Sequence, residues 1–141
     1  MTGPLRIAPA TDLAAPLAIR VAVFVDEQGV SEAEEVDGED GACLHWLATD
    51  AQGPVATLRV RLAGDRAKVQ RVAVLARARG AGIGAALMRA VMAELAGMGV
   101  ARAVLGAQVA AIGFYERLGF AAYGPVYDDA GIPHRDMARD L

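Results

Sequence analysis

Cysteine is almost missing from this chain: Cys43 is the only one in 141 residues. An internal disulfide is therefore excluded, and neither Cys43 nor the two histidines, His45 and His134, sits in a metal-binding spacing. No metal is expected, and the thiol reads as a small buried side chain. Long apolar runs are missing too. No stretch reaches the roughly 18 uninterrupted apolar residues that a membrane span requires. Met1 to Ile19 hold prolines, Asp12 and a single basic residue, Arg6, unlike the charged start and apolar core of a secretory signal. A reducing, cytoplasmic setting is the expectation. Nor is there an excess of positive charge, since 14 Lys and Arg face 17 Asp and Glu, a net charge of -3. Nothing in the overall field favours a nucleic acid or an anionic membrane as partner, so any anion site must be local.

What is present is the balance of a compact globule, 55% hydrophobic and 22% charged, and the length predicts one domain over residues 1–141. Leu5 to Ala8 reads as a strand, and Thr11 and Asp12 as a helix N-cap region. A helix is predicted from Leu13 to Asp26, with Leu17, Val21, Phe24 and Val25 facing inward and Gly29 ending it. The acidic run from Glu32 to Asp40 reads as a loop or short helix. Cys43 to Thr49, Val55 to Leu62 and Lys68 to Val74 read as an antiparallel meander, joined at Gln52-Gly53-Pro54 and Gly64-Asp65. Ile83, Leu87, Val91 and Leu95 recur every four residues, with Met88 and Met92 alongside, and Gly97 and Gly99 close that helix. A strand at Arg102 to Leu105, a short helix at Ala110 to Leu118 and a strand at Phe120 to Tyr123 follow, with His134 to Ala138 pairing beside the last. The order predicts a mixed α/β domain rather than a doubly wound parallel sheet.

The most informative segment runs from Val69 to Gly84. A strand ends at Val74, a basic connection carries Arg77 and Arg79, and Gly80-Ala81-Gly82-Ile83-Gly84 opens a helix. Free amides and the dipole at a helix start favour an anion, and glycines let a phosphate come close. Both arginines would add full charge beside that cradle. A P-loop is excluded because Gly84 is followed by Ala85-Ala86 instead of Lys-Ser or Lys-Thr. A dinucleotide fingerprint is disfavoured because the turn follows the third strand of a meander, and Glu94 falls too early to close on a ribose.

Arg79 to Gly84 resembles the acyl-CoA motif of the GNAT superfamily: Arg or Gln, two residues, Gly, one residue, then Gly or Ala. Phe114-Tyr115-Glu116-Arg117-Leu118-Gly119-Phe120 resembles the C-terminal motif of the same superfamily. The order of elements is similar from Leu5 to about Met137. Arg20 to Gln28 and Ala130 to His134 resemble a subgroup of small stand-alone bacterial GNAT proteins. The resemblance implies a GNAT-like fold, a central and mostly antiparallel sheet flanked by helices, and an N-acyltransferase that takes acetyl from acetyl-CoA to a small-molecule or protein amine. It also implies that a homodimer is a form to test. Val72, Ala73 and Val74 would lie along pantetheine, with an amide near Val74 polarising the thioester carbonyl. The amides of Gly80, Ala81, Gly82, Ile83 and Gly84, with Arg79, would hold the pyrophosphate. Tyr115 would sit near the sulfur, able to donate a proton as thiolate leaves. Many members carry Asn seven residues before this tyrosine. Here Gln108 stands there, and its amide can serve the same purpose.

Direct transfer in a ternary complex is the economical mechanism. A covalent route through Cys43 has no activating base in its favour. The base for the amine is open among Glu27, Glu35, Asp37 and His45. Glu27 is the first choice because it closes the first helix on the expected substrate side. His134 could line the acceptor pocket, although a turn histidine after Pro133 is its plain reading, and the acidic run is a hint of attraction for a cationic acceptor. A non-catalytic acyl-CoA sensor, an ATP-binding protein and a structural interaction domain are the competing readings.

Overall fold

The computed structural model describes residues 4–141. Seven strands form one sheet in the order β1-β2-β3-β4-β5-β7-β6. They are β1 (Arg6–Pro9), β2 (Leu44–Asp50), β3 (Gly53–Ala63), β4 (Arg66–Val74), β5 (Arg102–Gln108), β6 (Ala121–Asp129) and β7 (Ile132–Asp140). Four α-helices flank them: α1 (Ala14–Arg20), α2 (Glu32–Glu35), α3 (Ile83–Gly97) and α4 (Ile112–Glu116). Every strand pair is antiparallel except β4 with β5.

Alternation in β2 divides the apolar residues between two faces. Trp46 and Ala48 join the main core, which α3 covers with Ile83, Leu87, Met88, Val91, Met92 and Leu95. Leu47 faces the other way, into a smaller cluster with Ile19, Val23, Phe24, Ala73 and Leu75. The four-residue recurrence in α3 thus marks its buried face as the sequence predicts.

Three expectations need correction. The helix predicted over Leu13 to Asp26 is α-helical only to Arg20 and continues as a π-helix over Val21–Glu27, where the Gln28 amide reaches back to Val23 O at 3.2 Å. Pro16, Ile19 and Arg20 are buried in the α-helical part and Val23 in the wider winding, while Leu17, Val21, Phe24 and Val25 are only partly covered. The strand predicted to end at Tyr123 runs on to Asp129, because Gly124-Pro125 makes an irregularity within β6 and not a stop. The last strand also does more than pair beside β6. It lies between β5 and β6 and bonds to both.

One departure from regular pairing builds the site. β3 and β4 stay paired to Val74, across one bulge, and β5 and β7 to Gln108. Yet β4 and β5 pair only at Arg66, Ala67 and Lys68 with Arg102, Ala103 and Val104. Beyond those residues the two strands part, and a wedge opens in the middle of the sheet.

Candidate active site

A cavity of about 780 Å³ fills the wedge. Val72, Ala73 and Val74 line one wall, Leu105, Gly106 and Gln108 the other, and the glycine turn with α3 closes one end. Amides alternate sides along a strand. The Leu75 amide bonds back to Val55 O on β3 at 2.8 Å, so the amides of Val74 and Val72 point the other way, into the wedge. The Val74 carbonyl accepts the Arg79 Nε proton at 3.0 Å on that same side. A bulge accompanies this stretch, with Arg71 in the left-handed region at φ 56° and the β3–β4 register shifting between Thr57 and Arg59.

The glycine turn follows from its backbone. Gly80 and Gly82 take φ of 83° and 76°, a region open to glycine at little cost. Gly82 caps α3 with no side chain bonded to the first turn, and no acidic residue lies in that turn. The first intrahelical bond runs from Ala86 N to Gly82 O at 3.0 Å, which leaves the amides before it free for a ligand. Gly84 is tightly packed for another reason. A Cβ there would stand 3.3 Å from Val74 Cγ2 and 3.4 Å from Phe114 Cζ, so both sequence motifs meet at this residue.

Glu27, Val72, Ala73, Val74, Arg79, Gly80, Gly82, Ile83, Gly84, Gln108 and Tyr115 all line this one cavity. Ala81 is exposed and outside the lining set. Arg77, expected beside the cradle, instead reaches Asp50 at 3.1 Å and Gln52 at 3.3 Å, away from the cavity. Arg79 is at the rim, where its two terminal nitrogens grip the Glu27 carboxylate at 2.7 and 2.8 Å. That fork holds the Glu27 carboxyl below the ordinary carboxylate value. Gln108 donates to Gln28 Oε1 at 2.9 Å, tying β5 to the end of the π-helix.

Tyr115 is buried between Phe114 and Phe120, edge to face with both at ring separations of 5.0 and 6.0 Å. Burial pushes its hydroxyl up to about 12, so it is a neutral donor throughout the physiological range.

The other base candidates are engaged elsewhere. Glu35 lines the cavity but is buried against Arg20, whose Nε lies 2.5 Å from its carboxylate. Arg71 Nε is 2.9 Å from the other Glu35 oxygen, too poorly aligned to count as a hydrogen bond. Asp37 is bonded to Arg59 at 2.6 Å, which holds its carboxyl well below the usual range. Asp40 joins Arg20 and Arg59 at 2.8 and 2.9 Å, and Glu39 pairs with Arg61. The acidic run is therefore largely neutralised by arginines, a correction to its reading as a cation-attracting patch. His45 is buried outside the cavity, with Nε2 2.9 Å from Asp40 O. Cys43 is half-buried outside the lining set, and burial raises its thiol.

Residues 12–141 match the Acetyltransferase (GNAT) domain family. The chain belongs to the GNAT acetyltransferase family. It is similar to YjcF of Bacillus subtilis, named as an uncharacterized N-acetyltransferase, with 35% identity over 86% of this chain and 88% of the other. An acyl-CoA N-acyltransferase from Pseudomonas aeruginosa superposes with a TM-score of 0.82 and 32% identity, covering 96% and 99% of the two chains. A GNAT acetyltransferase from Elizabethkingia anophelis, solved with acetyl-CoA bound, shares the fold at a TM-score of 0.74 with 17% identity over 97% and 98%.

This GNAT chain also brings to the cavity Phe24, Phe114, Ile132 and His134, which lie within its sequence motifs, and Tyr127 and Asp129, which do not. His134 belongs to β7, opposite Gln108 on one side and Tyr127 on the other, so it is not the turn histidine expected after Pro133. The legible signal was the β-turn at Ala130 and Gly131, both at positive φ, which folds β6 back on β7 and carries Tyr127 and His134 to the cleft. Among the described residues no group of three His, Cys, Asp or Glu could hold a metal ion, and no helix is long and apolar enough to cross a membrane.

Proposed function

We propose that the whole chain acts as one acyl-CoA-dependent N-acyltransferase in the cytoplasm, with acetyl-CoA as donor and an amine as acceptor, both bound when transfer occurs. One observation supports the reading: Val74, the free amides at the start of α3 and Tyr115 all border a single wedge. The wedge is open at its edge, as an extended pantetheine arm requires.

In this reading the pyrophosphate rests on the amides from Gly80 to Gly84, and Ala81 contributes only backbone. Arg79 leaves Glu27 to join the phosphates, since a guanidinium serves a dianionic pyrophosphate better than an exposed carboxylate. Pantetheine runs between Val72–Val74 and Gln108. The Val74 amide then faces the thioester oxygen, where such a donor accelerates acyl transfer by roughly 10²- to 10³-fold. Tyr115 sits where sulfur departs. A hydroxyl at about 12 is a weaker acid than a thiol of ordinary pKa about 8.5, so complete transfer to a free thiolate runs uphill. Its favourable role is to hydrogen-bond sulfur while negative charge develops, with protonation completed afterwards.

Thiol release over an amine panel, with mass spectrometry of the product, tests this reading. Amine-dependent CoA formation together with an acetylated amine supports it. Tight acetyl-CoA binding with no release from any amine would replace it with the sensor reading.

A further inference from the structure

We infer that His134 Nε2, on the acceptor side of the wedge, takes the proton from the attacking amine. The inference rests on the transferase reading and supplies the base that it leaves open.

The tautomer follows from one contact. His134 Nδ1 lies 2.7 Å from Ile132 O, and a carbonyl only accepts, so Nδ1 carries the hydrogen and the lone pair belongs to Nε2. Among the described residues Nε2 has no hydrogen-bond partner, and it is not among the buried unpartnered atoms, so the cavity can reach it. The ring is fixed from a second side, stacked on Tyr127 with centroids 5.9 Å apart and planes 25° apart. Tyr127 is anchored in turn by its hydroxyl, which donates to Asp136 at 2.9 Å. Gly106 makes room for that hydroxyl, since any Cβ at 106 would collide with it. An imidazole oriented by a partner on its far nitrogen, with its near nitrogen bare toward a cleft, is the arrangement proton acceptance needs.

Placement agrees. Gln108, His134 and Tyr127 form one row across β5, β7 and β6, so His134 is one strand beyond the residue expected beside pantetheine. It shares the cavity with Tyr115 and Asp129. Two alternatives are occupied, Glu35 by Arg20 and Asp37 by Arg59, whereas Glu27 is released once Arg79 joins the phosphates and is the rival that the test separates from His134.

The protons balance. An acceptor arriving as ammonium gives one proton to His134 Nε2, which passes it to solvent. The freed nitrogen pair forms the C–N bond, the C–S pair leaves on sulfur beside Tyr115, and the second nitrogen proton ends on sulfur. Amide, CoA thiol and one released proton result.

The test uses the full chain with acetyl-CoA and spermidine, tyramine or an alanine-terminated peptide as probes. His134→Gln is expected to keep acetyl-CoA affinity while kcat falls by about 10²-fold or more, the usual share of a general base. His134→Ala is expected to recover rate with added imidazole, and to lose less with weakly basic hydroxylamine, which arrives largely deprotonated at neutral pH. Glu27→Gln should fall by a smaller factor and gain nothing from imidazole. A His134→Gln enzyme within threefold of wild type, or one that loses acetyl-CoA binding along with its rate, would overturn the assignment. Wild type that binds acetyl-CoA yet acetylates none of the probes would instead overturn the transferase reading, and the role of His134 with it.

Discussion

Gly84 stands where α3, β4 and Phe114 converge, and its missing Cβ sets how closely the helix start can approach the wedge. Gly84→Ala is expected to force Val74 and Phe114 apart by a few tenths of an ångström and cost roughly 1–3 kcal/mol, as overpacking does. Chemical denaturation reads this directly. An unchanged urea midpoint would mean that Phe114 turns aside freely. Tyr115 makes a different prediction, because its ring packs the core while the residue also lines the cavity. Tyr115→Phe keeps the ring, so acetyl-CoA affinity should hold and kcat fall by about one to two orders of magnitude, the scale of a lost transition-state hydrogen bond. Equal weakening of binding and rate would place the hydroxyl on the ground state instead. With the hydroxyl at about 12, no loss of rate on its account is expected below that pH.

Among the elements, α2 and the loop after it are held less by apolar packing than by charge. Arg20 and Arg59 are buried in side chain, and Glu35, Asp37 and Asp40 converge on them. Removing one partner of a buried pair strands the other, so Arg20→Ala is expected to cost about 3 kcal/mol or more, read as a lowered unfolding midpoint. The network is also sensitive to acid. The hydrogen bond from Arg59 keeps Asp37 ionised in the folded chain well below its ordinary value of 3.8. The unfolded chain therefore binds a proton first, and the stabilisation is full above about pH 4 and lost as pH falls further. Asp37→Asn should flatten that acid limb in urea titrations at pH 7 and pH 3, and an unaltered limb would contradict the pairing.

The same elements show what the sequence could reveal. α3 was readable because one stripe of Ile83, Leu87, Val91 and Leu95 meets the core between clear glycine stops. The partners of the acidic run were not, because Arg20, Arg59 and Arg71 come from three separate elements that only folding brings together. The π-helix left no periodic mark and rotated Phe24, Glu27 and Gln28 toward the cavity. His134 could be read only as a possible pocket residue, because Gly124-Pro125 hid the continuation of β6 that sets Tyr127 beside it, and no local signal showed that β7 also pairs with β5. The glycine turn and Tyr115 carried strong local motifs, and both border the one cavity.

At the scale of the whole molecule, function depends on the sheet failing to close. β1 to β4 form one paired half and β5, β7 and β6 the other, joined by three residue pairs and then splayed. In the proposed reading the half with β4 offers backbone amides and the half with β5 offers side chains, and both border the one cavity. The most direct test is calorimetric titration of acetyl-CoA into the wild-type chain and into Gly82→Asp. The substitution puts a carboxylate at the cradle on a residue held at φ 76°, adding backbone strain to repulsion of the phosphates. Micromolar binding by the wild type, weakened at least tenfold in the variant while CD still shows a folded chain, is the predicted result. No binding by the wild type, or equal binding by both proteins, would contradict the account.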